Sequence, residues 1–244
     1  GGRPVGEVLS VLTEENTQEV AMKNLLLDAG FPLSFSDEAQ EVAARISDRI
    51  SDEEIAVRRD FRNVFTVTID PVDARDFDDA LSIQPLTGPW MEVGVHIADV
   101  SHYLEAGTSL DEEAFERATS VYLPDRVLPM LPEHISNELC SLRPKEDKLT
   151  FSAVFEIRAE SGEVRHSWLG KTVIHSNHRF AYEEVQTIIE QGSGLHADSI
   201  LVLNRMARQL RAQRFANGAI NFSSQEVRFR LDEQGTQMGI TIKE

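Results

Sequence analysis

Five carboxylates and one arginine fall within ten residues: Asp70, Asp73, Arg75, Asp76, Asp78 and Asp79. They follow directly on the apolar run Phe65–Ile69. Carboxylates this close repel one another, and ionising all of them is unfavourable unless positive charge joins them. A hard divalent cation removes the repulsion. Mg²⁺ takes oxygen ligands, keeps several waters and completes its shell with a substrate phosphate. Two such ions about 4 Å apart activate a water and stabilise the leaving oxygen of a phosphodiester. The pattern is not a calcium-binding EF-hand loop, because the Asp spacing is wrong and the required glycine is missing. A solvated acidic loop is the plainer alternative. Phe77, Ala80 and Leu81, within and after the cluster, argue instead for partial burial.

Other reactive side chains carry weaker signals. His96 and His102 lie six residues apart, and His175 and His178 form an HxxH pair. No cysteine pair accompanies either set, so surface or hydrogen-bonded core histidines are expected rather than a zinc site. The single cysteine, Cys140, has apolar neighbours and reads as core. Neither a Gly-rich phosphate loop nor a GxSxG nucleophile elbow occurs. Tyr122 enters a proline-rich stretch, where an aromatic ring can stack on a nucleobase or simply pack. Around residues 200–214, Leu203, Met206, Ala207 and Leu210 share one helix face. Arg205, Arg208 and Arg211 fall on the opposite face, where they could track a phosphate backbone or merely face solvent.

The elements that must position these residues can be read from pattern. Val5–Leu12 reads as one strand. Helices are expected over Asn16–Gly30, with Gly30 as C-cap, and over Ser36–Ile50; Ser51 starts a further acidic first turn. From Val64 the pattern changes to strands: Phe65–Ile69, Leu81–Gln84 and Trp90–Val100. A helix follows over Asp111–Thr119, then a loop over Pro124–Pro132. Leu149–Ile157 and Val164–Ile174 read as a hairpin. Helices follow over Tyr182–Gln191 and Ala197–Ala216. Val227–Leu231 and Met238–Ile242 form a closing hairpin around Glu233–Gly235. Strands and helices mix without a βαβα rhythm, so the fold class is α+β, a mixed sheet with flanking helices.

Composition sets outer bounds. The chain has 244 residues, 41% of them hydrophobic and 27% charged, which suits a packed globular protein. It has no apolar run long enough to span a bilayer and no signal peptide is visible. No membrane partner and a cytoplasmic location are the expectations. The net charge is −17, but it is unevenly spread: residues 1–160 carry −18 and residues 161–230 carry +3. A polyanion that meets the basic part, or reaches the acidic part through metal ions, stays compatible with this balance.

The segment Thr68–Leu81, TIDPVDARDFDDAL, resembles the catalytic signature of the ribonuclease R/ribonuclease II family, most nearly that of ribonuclease R. Gly94–Leu104, Ser120–Pro144 and Asp147–Ile157 add to the resemblance, and together it spans about residues 58–230. It implies a hydrolytic 3′→5′ exoribonuclease that degrades single-stranded RNA processively from its 3′ end to nucleoside 5′-monophosphates. It implies Mg²⁺, with Mn²⁺ as a substitute. By the same resemblance Asp70 and Asp79 are principal metal ligands, Asp76 supports the metal site, and Asp78 acts at the water. Tyr122 stacks on the terminal nucleotide. Ala181 stands where the family has Thr.

The resemblance also implies a division of the chain. Residues 1–13 would be the last strand of a truncated cold-shock (OB) module and residues 14–57 a helical connector. Residues 58–244 would be the N-terminal part of the catalytic domain. The family's downstream half, with an arginine-bearing segment and a glutamate near the scissile phosphate, is expected beyond Glu244. Two competing readings follow from the residues. One is a non-catalytic module that binds RNA or protein. The other is a metal-dependent nucleotidyl or glycosyl transferase using Asp76-Phe77-Asp78.

Overall fold

The computed structural model describes residues 17–123, 126–222, 225–232 and 237–243. The expected strand Val5–Leu12 lies outside them. Three helices open the described part: α1 (Thr17–Asp28), α2 (Asp37–Arg45) and α3 (Asp52–Ala56). Gly30 ends the first helical turn region at φ +82°, and Phe31 N–H returns to the Leu26 carbonyl at 2.9 Å, a glycine C-cap. Ser36 Oγ accepts from Ala39 N–H at 3.2 Å, and Ser51 Oγ from Glu54 N–H at 3.2 Å, so both serines are N-caps. Helix α2 is shorter than its sequence suggests. It stops at Arg45, where Ile46 is extended, and Ser47 Oγ then turns the chain by accepting from Arg49 N–H at 3.1 Å.

The remaining elements are β1 (Arg59–Phe61), β2 (Thr66–Asp70), β3 (Asp79–Pro85), β4 (Trp90–Ala98), α4 (Val100–Tyr103), α5 (Ser109–Arg117), β5 (Val121–Tyr122) and β6 (Val127–Leu128). A six-residue π-helix, His134–Leu139, leads to β7 (Asp147–Arg158), β8 (Val164–His175), β9 (His178–Ala181), α6 (Tyr182–Gln191), α7 (Ala197–Ala216), β10 (Glu226–Leu231) and β11 (Gln237–Lys243). A mixed seven-stranded sheet has the order β1-β8-β7-β4-β3-β2-β9. β1 runs parallel to β8 and β9 parallel to β2, and the other neighbours are antiparallel. Two small ladders, β5–β6 and β10–β11, stand apart from this sheet.

Helices pack on part of each face of the sheet, while Ile97, Phe151 and Leu169 of β4, β7 and β8 stay exposed. On one side Phe61, Phe77, Ala80, Ala98, Leu110 and Ile135 pack with Ala39 and Ala43 of α2. On the other, α6 and α7 press Ile188, Ile200 and Met206 onto Val67, Phe180, Ile83 and Ile157. Strand β2 is buried along most of its length because it has a core on each side.

A buried polar row crosses the sheet. His96, fully buried, bonds Ser82 Oγ through Nε2 and Ser152 Oγ through Nδ1, each at 2.7 Å. Ser152 Oγ lies 2.5 Å from Thr172 Oγ1. Gly94 is required beside it: a Cβ there would sit 2.4 Å from His96 Nε2 and 2.5 Å from Ser82 Oγ. Burial holds His96 neutral, with its pKa pulled down to about 4. The row ends at Arg58, which donates to the Thr150 and Thr172 carbonyls and pairs with buried Asp99 at 2.7 Å. Arg58 also donates to Glu54 of α3 at 2.7 Å, which fastens the helical segment to the sheet. No helix among the described residues is long and apolar enough to cross a membrane.

Candidate active site: an acidic cleft beside the sheet

Strand β2 ends at Asp70 and strand β3 begins at Asp79, so the acidic segment is the connection between two neighbouring strands. The connection is held from within the protein. Ala74 N–H turns back onto the Pro71 carbonyl at 3.1 Å. Buried Ser141 accepts from Phe77 N–H at 3.1 Å and donates to the Arg75 carbonyl at 3.0 Å. Leu142 N–H adds a bond to the Phe77 carbonyl at 2.8 Å. With Phe77 sunk into the core, the carboxylates on either side of it are turned outward.

Asp70, Asp73, Asp76 and Asp78 line one open cleft of about 960 Å³, and Tyr122 shares its wall. Asp73, to which the resemblance gives no role, therefore lies with the others. Tyr122 is 68% exposed, and its hydroxyl donates to Asp76 Oδ2 at 3.4 Å. Burial and the charges of Asp76 and Asp78 push the Tyr122 hydroxyl up from its usual range. Asp79 is placed differently. It opens β3 directly before buried Ala80, and successive strand side chains alternate in direction, so its side chain heads for the opposite sheet face. Its charge is still felt by both Asp70 and Asp78.

Burial, with Asp79 and Asp76 adding to it, lifts Asp70 above the ordinary carboxylate range, and Thr68, then nearby Arg179, oppose the lift. Burial, then the charges of Asp76 and Asp79, lift Asp78. Asp70 Oδ2 is buried and has no hydrogen-bond partner. Such an oxygen costs free energy unless a ligand meets it. Among the described residues no three His, Cys, Asp or Glu side chains come together as a metal-holding group. The arrangement therefore does not make an all-protein cage. It does fit a cation of the magnesium type, which takes one or two carboxylates and fills the rest of its shell with water and phosphate.

Arg205, Arg208 and Arg211 are exposed on α7 and do not line the cleft. Met206 seats that helix on Ile83 and Ile157, and Gln213 Nε2 donates to the Ser161 carbonyl at 2.7 Å, in the β7–β8 turn. A strand advances ~3.3 Å per residue, so this contact region is more than 10 Å along β3 from Asp79. The structure brings Asp70, Asp73, Asp76, Asp78 and Tyr122 to one cleft, turns Asp79 to the other sheet face and leaves the arginine stripe towards the far end of the sheet. It also adds lining residues that local pattern does not reveal: Ser136 and Asn137 of the π-helix, and Val227 and Phe229 of β10.

The other reactive side chains are distributed elsewhere. His175 Nδ1 lies 2.7 Å from Asp147 Oδ1. The His178 ring packs edge-on to Phe180 at 4.3 Å. Cys140 is buried core, and burial pushes its thiol up to about 12.

The RNB domain family model matches residues 58–244. DIS3-like exonuclease 2 of Schizosaccharomyces pombe is 42% identical over 247 residues, covering 95% of this chain and 26% of its own length. Ribonuclease R 2 of Lactococcus lactis is 36% identical over 249 residues, covering 98% of this chain and 37% of its own length. The solved structure of Mycoplasma genitalium RNase R in complex with double-stranded RNA superimposes with a TM-score of 0.84 at 28% identity, over 93% of this chain and 41% of that one. The chain thus spans about a quarter to somewhat over a third of the length of these relatives. An acidic strand-to-strand connection facing a tyrosine, set on this mixed sheet and matched by that model, places the chain in the RNB domain family.

Proposed function

We propose that this chain carries the metal-binding and end-binding part of a 3′→5′ exoribonuclease that hydrolyses single-stranded RNA processively to nucleoside 5′-monophosphates. One observation carries the reading: unsatisfied carboxylate Asp70 and its cluster open into the same cleft as an exposed aromatic tethered to Asp76. Asp70 and Asp78 would hold Mg²⁺, or Mn²⁺ in its place, with Asp76 and Asp79 supplying further negative charge around them. Bound there, the metal would activate water and neutralise phosphate charge, by one ion or two. Tyr122 offers its ring to the terminal base and keeps its hydroxyl on Asp76, so base and phosphate are gripped against one cluster. Asp78, accessible in the cleft and lifted above the usual range, is suited to the attacking water. The exposed arginines of α7 are left to contact phosphates well away from the 3′ end.

The test uses the longest natural form of the protein, a 5′-labelled single-stranded oligoribonucleotide and Mg²⁺, with and without chelator. Shortening from the 3′ end with release of nucleoside 5′-monophosphates, lost on chelation and in Asp78→Asn, is expected. Intact RNA, or RNA shortened from the 5′ end, would sink the proposal and favour a binding module.

A further inference from the structure

We propose that Arg179 of β9 is a positioning residue that fixes the carboxylate connection 71–78 from the sheet side. The inference rests on the nuclease reading for its purpose but on separate contacts for its existence. Strand β9 lies parallel to β2 with Thr68 opposite Arg179 and Asp70 opposite Ala181. Arg179 therefore rises from the sheet beside Asp70 and reaches the connection at both ends. Its Nη2 donates to the Pro71 carbonyl, at the start. Its guanidinium carbon lies 5.4 Å from the centre of the Phe77 ring, at the end. Ser141 holds Arg75 and Phe77 from the other side. The segment between the two grips is irregular, so these contacts, and not a ladder, set its shape.

The geometry has a second consequence. Arg179 lies near enough to Asp70 to act on its charge, yet no hydrogen bond joins it to Asp70 Oδ2. Arg179 Nε is likewise buried and without a partner. The guanidinium thus supplies positive charge beside Asp70 without occupying the oxygen that a cation needs. A direct ion pair would compete with the metal. Lysine cannot replace this arrangement fully, because a point charge cannot bond a carbonyl and cover a ring with one flat group.

The test uses the 244-residue chain, with Arg179→Gln, Arg179→Lys and the control Asp70→Asn. Amide hydrogen exchange is read over peptides from 71–78 and, as a measure of global opening, from β7 and β8. Arg179→Gln is expected to speed exchange in 71–78 by about tenfold, the scale of one lost hydrogen bond, with β7 and β8 unchanged. Mn²⁺ binding should weaken by about 10–100-fold, as for loss of a group that orients a ligand. Arg179→Lys should lie between, and it decides the matter if the glutamine variant does not fold. Parent-like exchange in 71–78 in the folded variants would overturn the clamp. Faster exchange with unchanged Mn²⁺ affinity would overturn its role in positioning the carboxylates. A parent chain that binds no Mn²⁺ counts instead against the nuclease reading, and the exchange data still judge the clamp.

Discussion

The Tyr122 hydroxyl donates to Asp76 Oδ2 across 46 residues of sequence, while 68% of the tyrosine stays exposed. The ring is therefore aimed by the acidic cluster itself. Stacking on a base is worth ~1–3 kcal/mol, so Tyr122→Ala should weaken binding of a short oligoribonucleotide by roughly 5–150-fold. Tyr122→Phe keeps the ring and loses only the tether, and its deficit should be much smaller. Equal losses in the two variants, measured by calorimetric titration, would show that the hydroxyl and not the ring makes the contact.

The acidic cluster should cost the metal-free protein stability. Asp70 and Asp78 have folded pKa values above their unfolded ones, chiefly through burial. The sign follows: the fold gains from their protonated forms at low pH and loses that gain as pH rises through the raised values. Asp78→Asn should therefore raise the melting temperature of the chelator-treated chain at pH 7. The rise should shrink as pH falls and vanish once pH lies below the unfolded value of 3.8. The same variant should bind Mn²⁺ more weakly. A metal-free Asp78→Asn chain that melts below the parent at pH 7 would contradict this account.

His96 titrates in the opposite sense. Its folded pKa, about 4, lies below the ordinary histidine value of 6.5. The neutral ring's contribution is complete above the unfolded value and is lost as pH falls through about 4. For a fully buried ring this amounts to about 3 kcal/mol at most. Urea unfolding between pH 7 and pH 4 should show a steeper loss in the parent than in His96→Asn, which has no proton to gain. Parallel slopes would remove His96 as the source.

Gly94→Ala strikes the same row without changing a charge. The added methyl must displace the His96 ring or Ser82. Overpacking and a broken buried hydrogen bond each cost ~1–3 kcal/mol. A fall of that order in unfolding free energy is expected, and a parent-like urea midpoint would mean the strands part to admit the methyl.

Turnover by the 244-residue chain alone is expected to be slight. The carboxylates would hold the metal, whereas aligning a phosphate with its attacking water can account for ~7–11 kcal/mol of barrier. The α7 arginines offer attraction that salt screens, so weak, salt-sensitive RNA association should remain. Release of mononucleotides by the purified chain, abolished by Asp78→Asn, would overturn this prediction.

Much of this structure could be read from local pattern. Helices α6 and α7 occupy the ranges expected of them, α6 with a clear apolar stripe and α7 held chiefly through buried Ile200 and Met206. The β7–β8 and β10–β11 pairs follow from alternation. Strands β1 and β9 escape, being three and four residues long and stabilised by parallel partners far along the chain. The carboxylates and Tyr122 were visible as residue types. Their shared cleft follows from Phe77 entering the core, which spacing alone does not reveal. Arg179 and Ser141 escaped for a similar reason: their partners are backbone groups distant in sequence. The arginine stripe had the right composition, but the packing of Met206 carries it away from the cleft.

Among the described residues the β10–β11 ladder pairs with no other strand, yet Val227 and Phe229 line the same cleft as the sheet-borne aspartates. The two sides of the cleft thus belong to separate hydrogen-bonded units. Among the described residues no ladder rung crosses from one side to the other, so side-chain packing rather than strand pairing joins the two walls.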